Sequence, residues 1–542
     1  METYTSDVVI IGGGIAGITA ALELLNQGKK VIIFDRDVEE NFGGLAKESF
    51  GGMFFVDTPQ QRKAGIKDTP ELAFKDWCSV AKFAANDRWP KAWAKTYVYN
   101  CTAKVYDWLK VQGIKFFPVV HWVERGLFTP GNSYPRFHMV WGTGFELSEV
   151  LRKNLLSHPK ASTHLQLFFQ HKVNKIIEDG NGITGISGID EASGIPFAAS
   201  AEATIIATGG IGGNIELVRH HWYKPWGEPP QVILNGAHKY GLGDMHHEVE
   251  NHRGLVTHLD KMWPYAAGVH HPEPTRELHG LSLVPPKSAL WLNYKGERIG
   301  PMPLMTAYDT RYLVEQICKQ EKKYSWQVLN LKIAYKEFAI SGSESNEAMK
   351  NKDILGFIKD TLLGNKKLVD KMLTTCEDFV VADTIEELAD KMNVLTDTQD
   401  IEVGTLESAI GDYDANIDRG PKYFNDDQLR RIAHARNYRG DKVRTSKFRK
   451  INDKKALPLI AIREFILSRK TLGGIQTNLK CEVLNNEGTP LSGLYAVGEA
   501  AGFGGGGMHG QGSLEGTFLG GCVLTGRVVA YTISGKQLIS DG

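Results

Sequence analysis

The sequence has little cysteine for its length, and its six cysteines lie far apart along the chain. They form no CxxC pair and no CxxCH motif, and no histidine pair lies beside them. This argues against a disulfide framework and against iron–sulfur, zinc or c-type haem sites. Histidines are dense between His220 and His279, but no spacing there matches a metal-ligand pattern. We therefore expect no metal site.

Two further absences limit the class of protein. The 63 basic and 63 acidic residues leave a net charge of zero, which argues against a nucleic-acid binder or a polybasic membrane anchor. No run of about 18 apolar residues occurs, so no transmembrane segment is expected. The first predicted strand begins six residues after Met1, so no signal peptide is expected either. Together these features predict a cytoplasmic protein.

The most informative stretch that is present is a βαβ unit in Asp7–Arg36. It consists of a predicted strand, a GxGxxG pattern, a predicted helix, a second strand and an acidic residue: Asp7–Ile11; Gly12, Gly14 and Gly17; Ala20–Leu25; Val31–Phe34; and Asp35. In such a unit the glycines allow a tight turn, close approach of a pyrophosphate and packing of helix on strand. The helix N-terminus faces the phosphates, and an acid placed like Asp35 can accept from a ribose hydroxyl. This stretch predicts dinucleotide binding.

Further glycine-rich elements follow along the chain. In order they are Gly43-Gly44, Gly51-Gly52, Ala207-Thr208-Gly209-Gly210, Gly241-Leu242-Gly243-Asp244, Thr471-Leu472-Gly473-Gly474, Gly493–Glu499 and Gly504–Leu519. With the first unit, this series resembles the fumarate reductase/succinate dehydrogenase flavoprotein superfamily. The resemblance implies an α/β fold: a Rossmann-like (glutathione-reductase type) FAD-binding domain with an inserted α+β cap domain.

The resemblance also implies which residues contact FAD. They are Gly12, Gly14, Ile15, Ala16, Gly17, Asp35, Arg36, Gly43, Gly44, Leu45, Ala46, Ser49, Gly51, Gly52, Val173, Ala207, Thr208, Gly209, Gly210, Asn214, Gly243, Asp244, Gly498, Glu499, Ser513, Leu514, Gly516, Thr517 and Phe518. Several members carry a covalent flavin on a histidine after the first Gly-Gly pair. Here Leu45 and Ala46 occupy that neighbourhood, so we expect non-covalent FAD.

The chain changes character between about Trp263 and Arg463, where charged segments with helical patterns dominate. We predict an FAD-binding domain in two parts, 1–262 and 463–542, and a cap or substrate domain at 263–462. The strongly basic stretch Arg430–Lys455 is interpreted as a solvated face, and a docking surface for an acidic redox partner is the alternative.

Three departures from the superfamily pattern bear on the substrate. Fumarate reductases hold a dicarboxylate with an HP pair, a histidine before the TxGG element and the arginine of an HGxxR motif. This chain has Trp263, Lys470 and Ser513 at those places. Without these groups a small dianion loses most of its charge-assisted hydrogen bonds. With Met262 and Tyr265 nearby, the pattern favours a larger, apolar substrate.

Among relatives that handle such substrates, the chain is most similar to 3-ketosteroid Δ1-dehydrogenases and related FAD-binding dehydrogenases. The resemblance implies that a tyrosine in the inserted domain removes a proton, and Tyr308 is our match, with Arg311 as the rival proton carrier. A late tyrosine that polarises the ketone in those enzymes is missing, and His509 is the substitute we consider. Structural roles for these residues, and for His138, are the alternative interpretation.

The sequence therefore predicts an FAD-dependent dehydrogenase acting on CH–CH bonds, with the reverse ene reduction equally compatible. We expect a largely apolar, ketone- or steroid-like small-molecule substrate and an unidentified electron acceptor. A flavin oxidase or monooxygenase, and a non-catalytic FAD-binding redox carrier, are the alternatives. No second nucleotide motif is present to serve a monooxygenase.

Overall fold

The computed structural model describes residues 1–126, 130–180, 182–300 and 309–539. The chain divides into two compact units. Unit 1 comprises Met1–Tyr223, Ala237–Trp263 and Arg469–Gly542, and unit 2 comprises Lys224–Gly236 and Pro264–Ser468. Unit 2 thus includes a short stretch, Lys224–Gly236, that the sequence-based boundaries place in the FAD-binding domain. The assignment of the parts as FAD-binding and cap domains stays a prediction.

Unit 1 is organised on an eight-stranded sheet with a parallel centre. The apolar run Val8–Ile11 pairs with Val31–Phe34 on one side and with Ala203–Ile206 on the other. Both faces of such strands are covered, which is why they are apolar throughout rather than alternating. The order across the sheet is Glu482–Leu484, Pro490–Ala496, Pro196–Ile206, Glu2–Ile11, Val31–Phe34 and Leu165–Phe168, with the hairpin His171–Asp179 and Gly182–Asp190 joined to Pro196–Ile206.

The remaining strands of unit 1 are Gly52–Phe54, Phe137–Met139, Val256–Thr257 and Gly474–Ile475. Its helices are Ile15–Asn26, Pro59–Lys63, Pro70–Ala81, Arg88–Asn100, Asp107–Val111, Thr143–Leu156, Ala161–His164, Ile215–His220, Asp244–Asn251 and Thr517–Ile533. The first and last of these pack on each other, and Arg527 Nε donates to Glu23 Oε1 at 2.6 Å across that contact. The two ends of the chain are thereby joined in one unit.

Unit 2 contains a second sheet, also of eight strands and mostly antiparallel. Its strands are Ile233–Asn235, Met262–His270, Gly280–Val284, Leu290–Leu292, Ser325–Asn330, Ala339–Ser341, Phe379–Ala382 and Leu459–Thr471. Its helices are Thr310–Cys318, Leu331–Glu337, Glu347–Lys350, Ile354–Leu363, Lys366–Thr375, Ile385–Thr396, Val403–Asp418, Asp427–Asn437 and Arg439–Lys442. The strands Met262–His270 and Leu459–Thr471 carry the chain between the units.

None of the helices within the described ranges combines the length and apolar character that crossing a bilayer requires.

Candidate functional site

The glycine turn between strand Glu2–Ile11 and helix Ile15–Asn26 exposes backbone rather than side-chain atoms. Gly12 has φ 103°, and a β-carbon there would lie 2.6 Å from the carbonyl oxygen of Ala207. At Gly14 a β-carbon would meet no atom within 4 Å, and no side chain caps the helix. A helix N-terminus binds phosphate through its first N–H groups. The open space beside Gly14 therefore suits a pyrophosphate.

The third glycine of the pattern serves packing. A β-carbon on Gly17 would lie 2.2 Å from the carbonyl oxygen of Gly12, so only glycine lets the helix come this close to the turn. Ile15 and Ala16 are buried in the first turn of the helix. A β-carbon on Gly498 would lie 2.8 Å from the Ala16 side chain, so the late element Gly493–Glu499 packs against this turn.

Asp35 and Arg36 have different surroundings at the end of the second strand. Asp35 Oδ2 accepts from the N–H of Gly13 at 2.6 Å, and burial raises the pKa of its carboxyl. Asp35 thus lies directly beside the glycine turn. The Arg36 guanidinium forms two hydrogen bonds with Glu191, at 2.8 and 3.0 Å, and lies over the ring of Tyr240. Its predicted contact with FAD stays a prediction.

The two Gly-Gly pairs differ in what they pack against. The N–H of Gly43 donates to the carbonyl of Gly13 at 2.9 Å, so the first pair lies on the dinucleotide turn, and Leu45 and Ala46 follow it in a short 3₁₀ helix. The second pair packs elsewhere: a β-carbon on Gly51 would lie 2.6 Å from the backbone nitrogen of Gly144. Gly52 likewise packs on the ring of Phe137, and Ser49 Oγ donates to the carbonyl of Ala46.

A second glycine turn, Ala207-Thr208-Gly209-Gly210, follows the strand Pro196–Ile206. A β-carbon on Gly209 would meet no atom within 4 Å, whereas one on Gly210 would lie 2.6 Å from Glu499 Oε1. Glu499 Oε1 accepts from the N–H of Thr471 at 2.9 Å, and burial raises the pKa of this carboxyl. The hydroxyl of Thr471 accepts from the N–H of Ile211 at 3.0 Å. Thr471 therefore ties two cofactor motifs together, a role that the sequence analysis missed.

Three predicted cofactor residues have other tasks among the described contacts. Val173 is buried in the core of unit 1. The side chain of Asn214 caps a helix by accepting from the N–H of Leu217 at 3.0 Å. Asp244, which follows Gly243 at a helix start, is about half exposed and lies 3.4 Å from the ammonium of Lys172. Their contacts with FAD stay predictions.

The late glycine loop leads into the helix Thr517–Ile533, whose N-terminus is not capped by a side chain. Gly516 precedes it with φ 95°, and a β-carbon there would lie 2.7 Å from the backbone nitrogen of Phe54. Ser513 Oγ and Thr517 Oγ1 lie 2.9 Å apart, and the Thr517 hydroxyl also donates to the carbonyl of Leu514. The loop is thus held by its own hydroxyl groups.

His509 lies fully buried beneath this loop. Its ring stacks on Trp77 with 5.4 Å between centroids, and its Nε2 lies 2.8 Å from Thr517 Oγ1. Burial lowers the pKa of His509 to about 3, so the ring is neutral. Its Nδ1 has no hydrogen-bond partner among the described residues. The predicted donor role of His509 stays a prediction.

A charged cluster lies next to these motifs and consists of Lys470, Glu515 and Trp263. The indole N–H of Trp263 donates to Glu515 Oε1 at 2.6 Å, and Lys470 Nζ lies 3.9 Å from Glu515 Oε2. Lys470 Nζ also lies 4.1 Å from the ring centroid of Phe518. The side chains of Lys470 and Glu515 are 17% and 18% exposed, and burial lowers the pKa of Lys470 to about 8.

The two other predicted catalytic residues belong to the inserted segment. Tyr308 lies outside the described residues. Arg311 is in the first turn of the helix Thr310–Cys318, and its guanidinium carbon lies 4.7 Å from the ring centroid of Trp226. Their roles as proton carriers stay predictions.

The remaining histidines of interest are held by protein groups. His138 Nε2 bonds Thr58 Oγ1 at 2.9 Å and its Nδ1 lies 2.8 Å from the carbonyl of Arg136, as in a structural histidine. Within the described ranges one group, His270 with Glu377 and Asp378, has metal-compatible spacing. Asp378 there bonds His270 at 2.8 Å and also accepts from Arg463, as expected of an ion-pair network.

These features fit the cofactor implied by the sequence. The open space beside Gly14 and Gly209 is suited to a pyrophosphate. The helices Ile15–Asn26 and Thr517–Ile533 both begin without a side-chain cap, so the N–H groups of their first turns can donate to an anionic ligand. Buried Glu499 lies beside the second glycine turn, where its carboxyl can accept from a hydroxyl group of FAD. The fold and site together define an FAD-binding flavoprotein.

Comparison with known proteins agrees. The chain matches the protein family described as FAD binding domain over residues 7–519. A KsdD-like steroid dehydrogenase of Mycobacterium tuberculosis (strain CDC 1551 / Oshkosh) is 41% identical over 545 aligned residues, covering 97% of this chain and 95% of the relative. One from Mycolicibacterium smegmatis is 39% identical over 532 residues, covering 95% and 96%. The chain therefore belongs to the FAD binding domain family and, within it, to the group of KsdD-like steroid dehydrogenases.

Solved structures share the fold. A 3-ketosteroid Δ1-dehydrogenase from Sterolibacterium denitrificans has a TM-score of 0.69 at 15% identity, covering 98% of this chain and 99% of that one. A flavocytochrome c3 fumarate reductase has a TM-score of 0.67 at 20% identity, covering 98% and 78%. These likenesses confirm the predicted fold class, while the family match and the KsdD-like relatives confirm the predicted superfamily and FAD. With Leu45 and Ala46 where a covalent link would need histidine, the FAD is bound non-covalently.

Proposed function

We propose that this protein is an FAD-dependent oxidoreductase that introduces a C=C bond next to the ketone of a largely apolar, steroid-like substrate. The observation that carries this function is the 41% identity with a KsdD-like steroid dehydrogenase along 97% of the chain. An end-to-end match of this kind includes the segments around the substrate as well as the FAD motifs.

The polar groups beside the FAD motifs support a ketone rather than a dicarboxylate. A dianion needs several fixed cations for charge-assisted hydrogen bonds. The cluster beside the FAD motifs offers one lysine, which is already near the carboxylate of Glu515, and a tryptophan. Trp263 and Met262 are buried apolar side chains in this part of unit 1. This combination suits an apolar molecule with a single carbonyl group.

In the proposed reaction a base removes a proton from the carbon next to the ketone. FAD, when bound, accepts hydride from the adjacent carbon and so supplies the two-electron oxidation. Tyr308 is our candidate for the base, and Arg311 is either its activator or the proton carrier itself. His509, fully buried and neutral, holds the loop before the helix Thr517–Ile533 through Thr517.

An anaerobic titration of the purified yellow protein tests this function. 3-Ketosteroids, saturated cyclic ketones and succinate are added separately while the oxidised flavin band is recorded. Bleaching by a steroid or cyclic ketone, with formation of the corresponding enone, supports the proposed dehydrogenation. Bleaching by succinate alone, or purification without flavin, contradicts it.

The same experiment separates the alternatives. Reoxidation of chemically reduced protein by an enone, without bleaching by ketones, indicates an ene reductase. Rapid peroxide formation when the reduced protein meets oxygen indicates an oxidase. Absence of turnover with every donor and acceptor indicates a redox carrier. Artificial dyes and quinones, added to the bleached protein, are tested as electron acceptors by the return of the oxidised flavin band. A cytoplasmic location stays a prediction.

A further inference from the structure

The amino group of Lys470 is flanked by two groups that favour positive charge. The carboxylate of Glu515 lies 3.9 Å away, and the face of the Phe518 ring lies 4.1 Å away. A cation within about 6 Å of an aromatic face is attracted by the ring quadrupole. Both contacts therefore stabilise the ammonium form in a position that is only 17% exposed.

Glu515 is fixed in place by Trp263. Its Oε1 accepts from the indole N–H at 2.6 Å, which leaves Oε2 directed toward Lys470. A separation of 3.9 Å is too long for a hydrogen bond between these two groups. The carboxylate thus acts on Lys470 as a nearby charge rather than as a hydrogen-bond acceptor.

Lys470 is placed next to residues of the FAD site. The residue after it, Thr471, donates its N–H to Glu499 at 2.9 Å. Phe518, beneath the ammonium, belongs to the uncapped first turn of the helix Thr517–Ile533. Glu499 and Phe518 are both among the predicted FAD contacts. Lys470 therefore lies beside two residues that are predicted to contact the flavin.

We propose that Lys470 binds the ketone oxygen of the substrate through its ammonium group, with Glu515 and Trp263 as positioning residues. This inference rests on the proposed function. As the proton leaves the carbon next to the ketone, negative charge collects on the ketone oxygen. A preorganised ammonium in a partly dehydrated site stabilises that charge more than it stabilises the neutral ketone. Lys470 itself neither gains nor loses a proton.

The role requires the charged form of Lys470, so it depends on pH. Burial lowers the pKa of Lys470 to about 8, which keeps the ammonium form at pH 7 and removes it above pH 8. The charged groups that face it are Glu515, Arg469, Glu499 and Glu124, and it faces His509 in turn. Since His509 is neutral above about pH 3, it does not titrate in this range.

A pair of matched ligands tests the contact without relying on turnover. 6-Cyano-2-naphthol has an ionisable hydroxyl, and its naphtholate form mimics the negatively charged oxygen that develops during proton removal. Its methyl ether has the same rings but cannot ionise. Binding of each to the FAD-loaded protein is measured by equilibrium dialysis at pH 7. The ratio of the two dissociation constants reports the interaction at the oxygen.

Lys470→Met is expected to weaken the naphthol about tenfold or more, as charge-assisted hydrogen bonds do, and to change ether binding less than about twofold. Lys470→Arg should keep the preference for the naphthol, also above pH 8, where the wild type loses it. Lys480→Met is the matched control, because Lys480 is an exposed lysine of the same unit. It should bind both ligands like the wild type.

Equal weakening of both ligands by Lys470→Met, or no change in either, overturns the proposal, since a structural lysine would behave so. Anaerobic bleaching by ketones then distinguishes the two hypotheses. If ketones bleach the wild type and Lys470→Met at equal rates, the role of Lys470 is wrong and the function stands. If ketones bleach neither but the naphthol preference depends on Lys470, the oxygen-binding role stands and the function is wrong.

Discussion

In unit 1, the ion pairs of Arg136 and of Lys470 differ in how closely their members are bonded. Arg136 is fully buried and lies 2.7 Å from Asp68 and 2.6 Å from Asp76. Its Nε and Nη2 both donate to Asp68, and its Nη1 also donates to Asn132. Lys470 lies 3.9 Å from Glu515, and both are partly exposed.

The difference separates an ion pair that maintains the fold from one that is suited to a ligand. Burial lowers the pKa of Arg136, but the two carboxylates more than offset this and raise it above its ordinary value. For Lys470, burial outweighs its neighbours and lowers the pKa to about 8. A cation whose charged form is disfavoured by burial gains more from a ligand that carries negative charge.

The largest expected effect is on the fold. Arg136→Met leaves Asp68 and Asp76 as buried carboxylates without their cation, which costs about 3–5 kcal/mol of unfolding free energy. Urea unfolding followed by circular dichroism measures this. A loss below about 1 kcal/mol would mean that the saturated cluster contributes little, and the contrast with Lys470 would then be lost.

The glycine turn offers the same contrast between fold and ligand. Gly17→Ala places a β-carbon 2.2 Å from the Gly12 carbonyl, so it should destabilise the protein and abolish FAD binding. Gly14→Ala meets no protein atom within 4 Å, so the apoprotein should unfold at the wild-type temperature while FAD binds about tenfold more weakly or worse. Thermal unfolding of apoprotein and fluorimetric FAD titration check both. Unchanged FAD binding in Gly14→Ala would place the pyrophosphate elsewhere.

A smaller effect is expected on the pH dependence of stability. With a folded pKa of about 8, against about 10.4 in the unfolded chain, burial of the charged Lys470 costs most below pH 8. Between these values the unfolded state binds more protons, so wild-type stability rises with pH relative to Lys470→Met. Urea unfolding of both at pH 7 and pH 10 should show this relative gain. A constant difference would mean that folding leaves the pKa of Lys470 at its ordinary value.

The smallest effect is expected for the positioning residue. Trp263→Phe keeps an apolar ring but removes the N–H that holds Glu515 at 2.6 Å. We expect the naphthol-to-ether preference to fall about threefold, because Glu515 is then free to turn away from Lys470. Equilibrium dialysis measures the preference. Trp89→Phe, in the helix Arg88–Asn100, is the control. A loss as large as that of Lys470→Met would assign the ligand contact to Trp263 itself.

Much of the FAD-binding unit could be predicted from local pattern. The strand Val31–Phe34 has its predicted bounds, and the strand predicted from Asp7 extends back to Glu2. The helix predicted from Ala20 begins at Ile15, because the glycine pattern, not the apolar run, sets its start. The residue pattern of Trp89–Gln112 predicts a single helix, but a π-helical segment at Cys101–Tyr106, for which the sequence has no local signal, divides it.

The inserted segment was harder to predict. The patterns of Asp353–Leu363 and Lys366–Thr374 predict helices, and the structure has helices at Ile354–Leu363 and Lys366–Thr375, since caps and periodicity are local signals. Its sheet was expected only as part of an α+β domain, with no strand located. The strand Leu459–Thr471 pairs with segments far away in the chain, such as Ser325–Asn330 and Phe379–Ala382, and such pairing has no signature within a short window.

By itself, the sequence determined the cofactor, the superfamily and the parallel centre of unit 1. These features depend on glycines and apolar runs, which determine the local conformation of the backbone around them. Only the tertiary structure brought Lys470 to Glu515 and Phe518, and Thr471 to Glu499. It also showed that His509 is neutral and sealed beneath its loop. Charge and reactivity of a side chain depend on burial and on neighbours distant in the chain, so folding alone decides them.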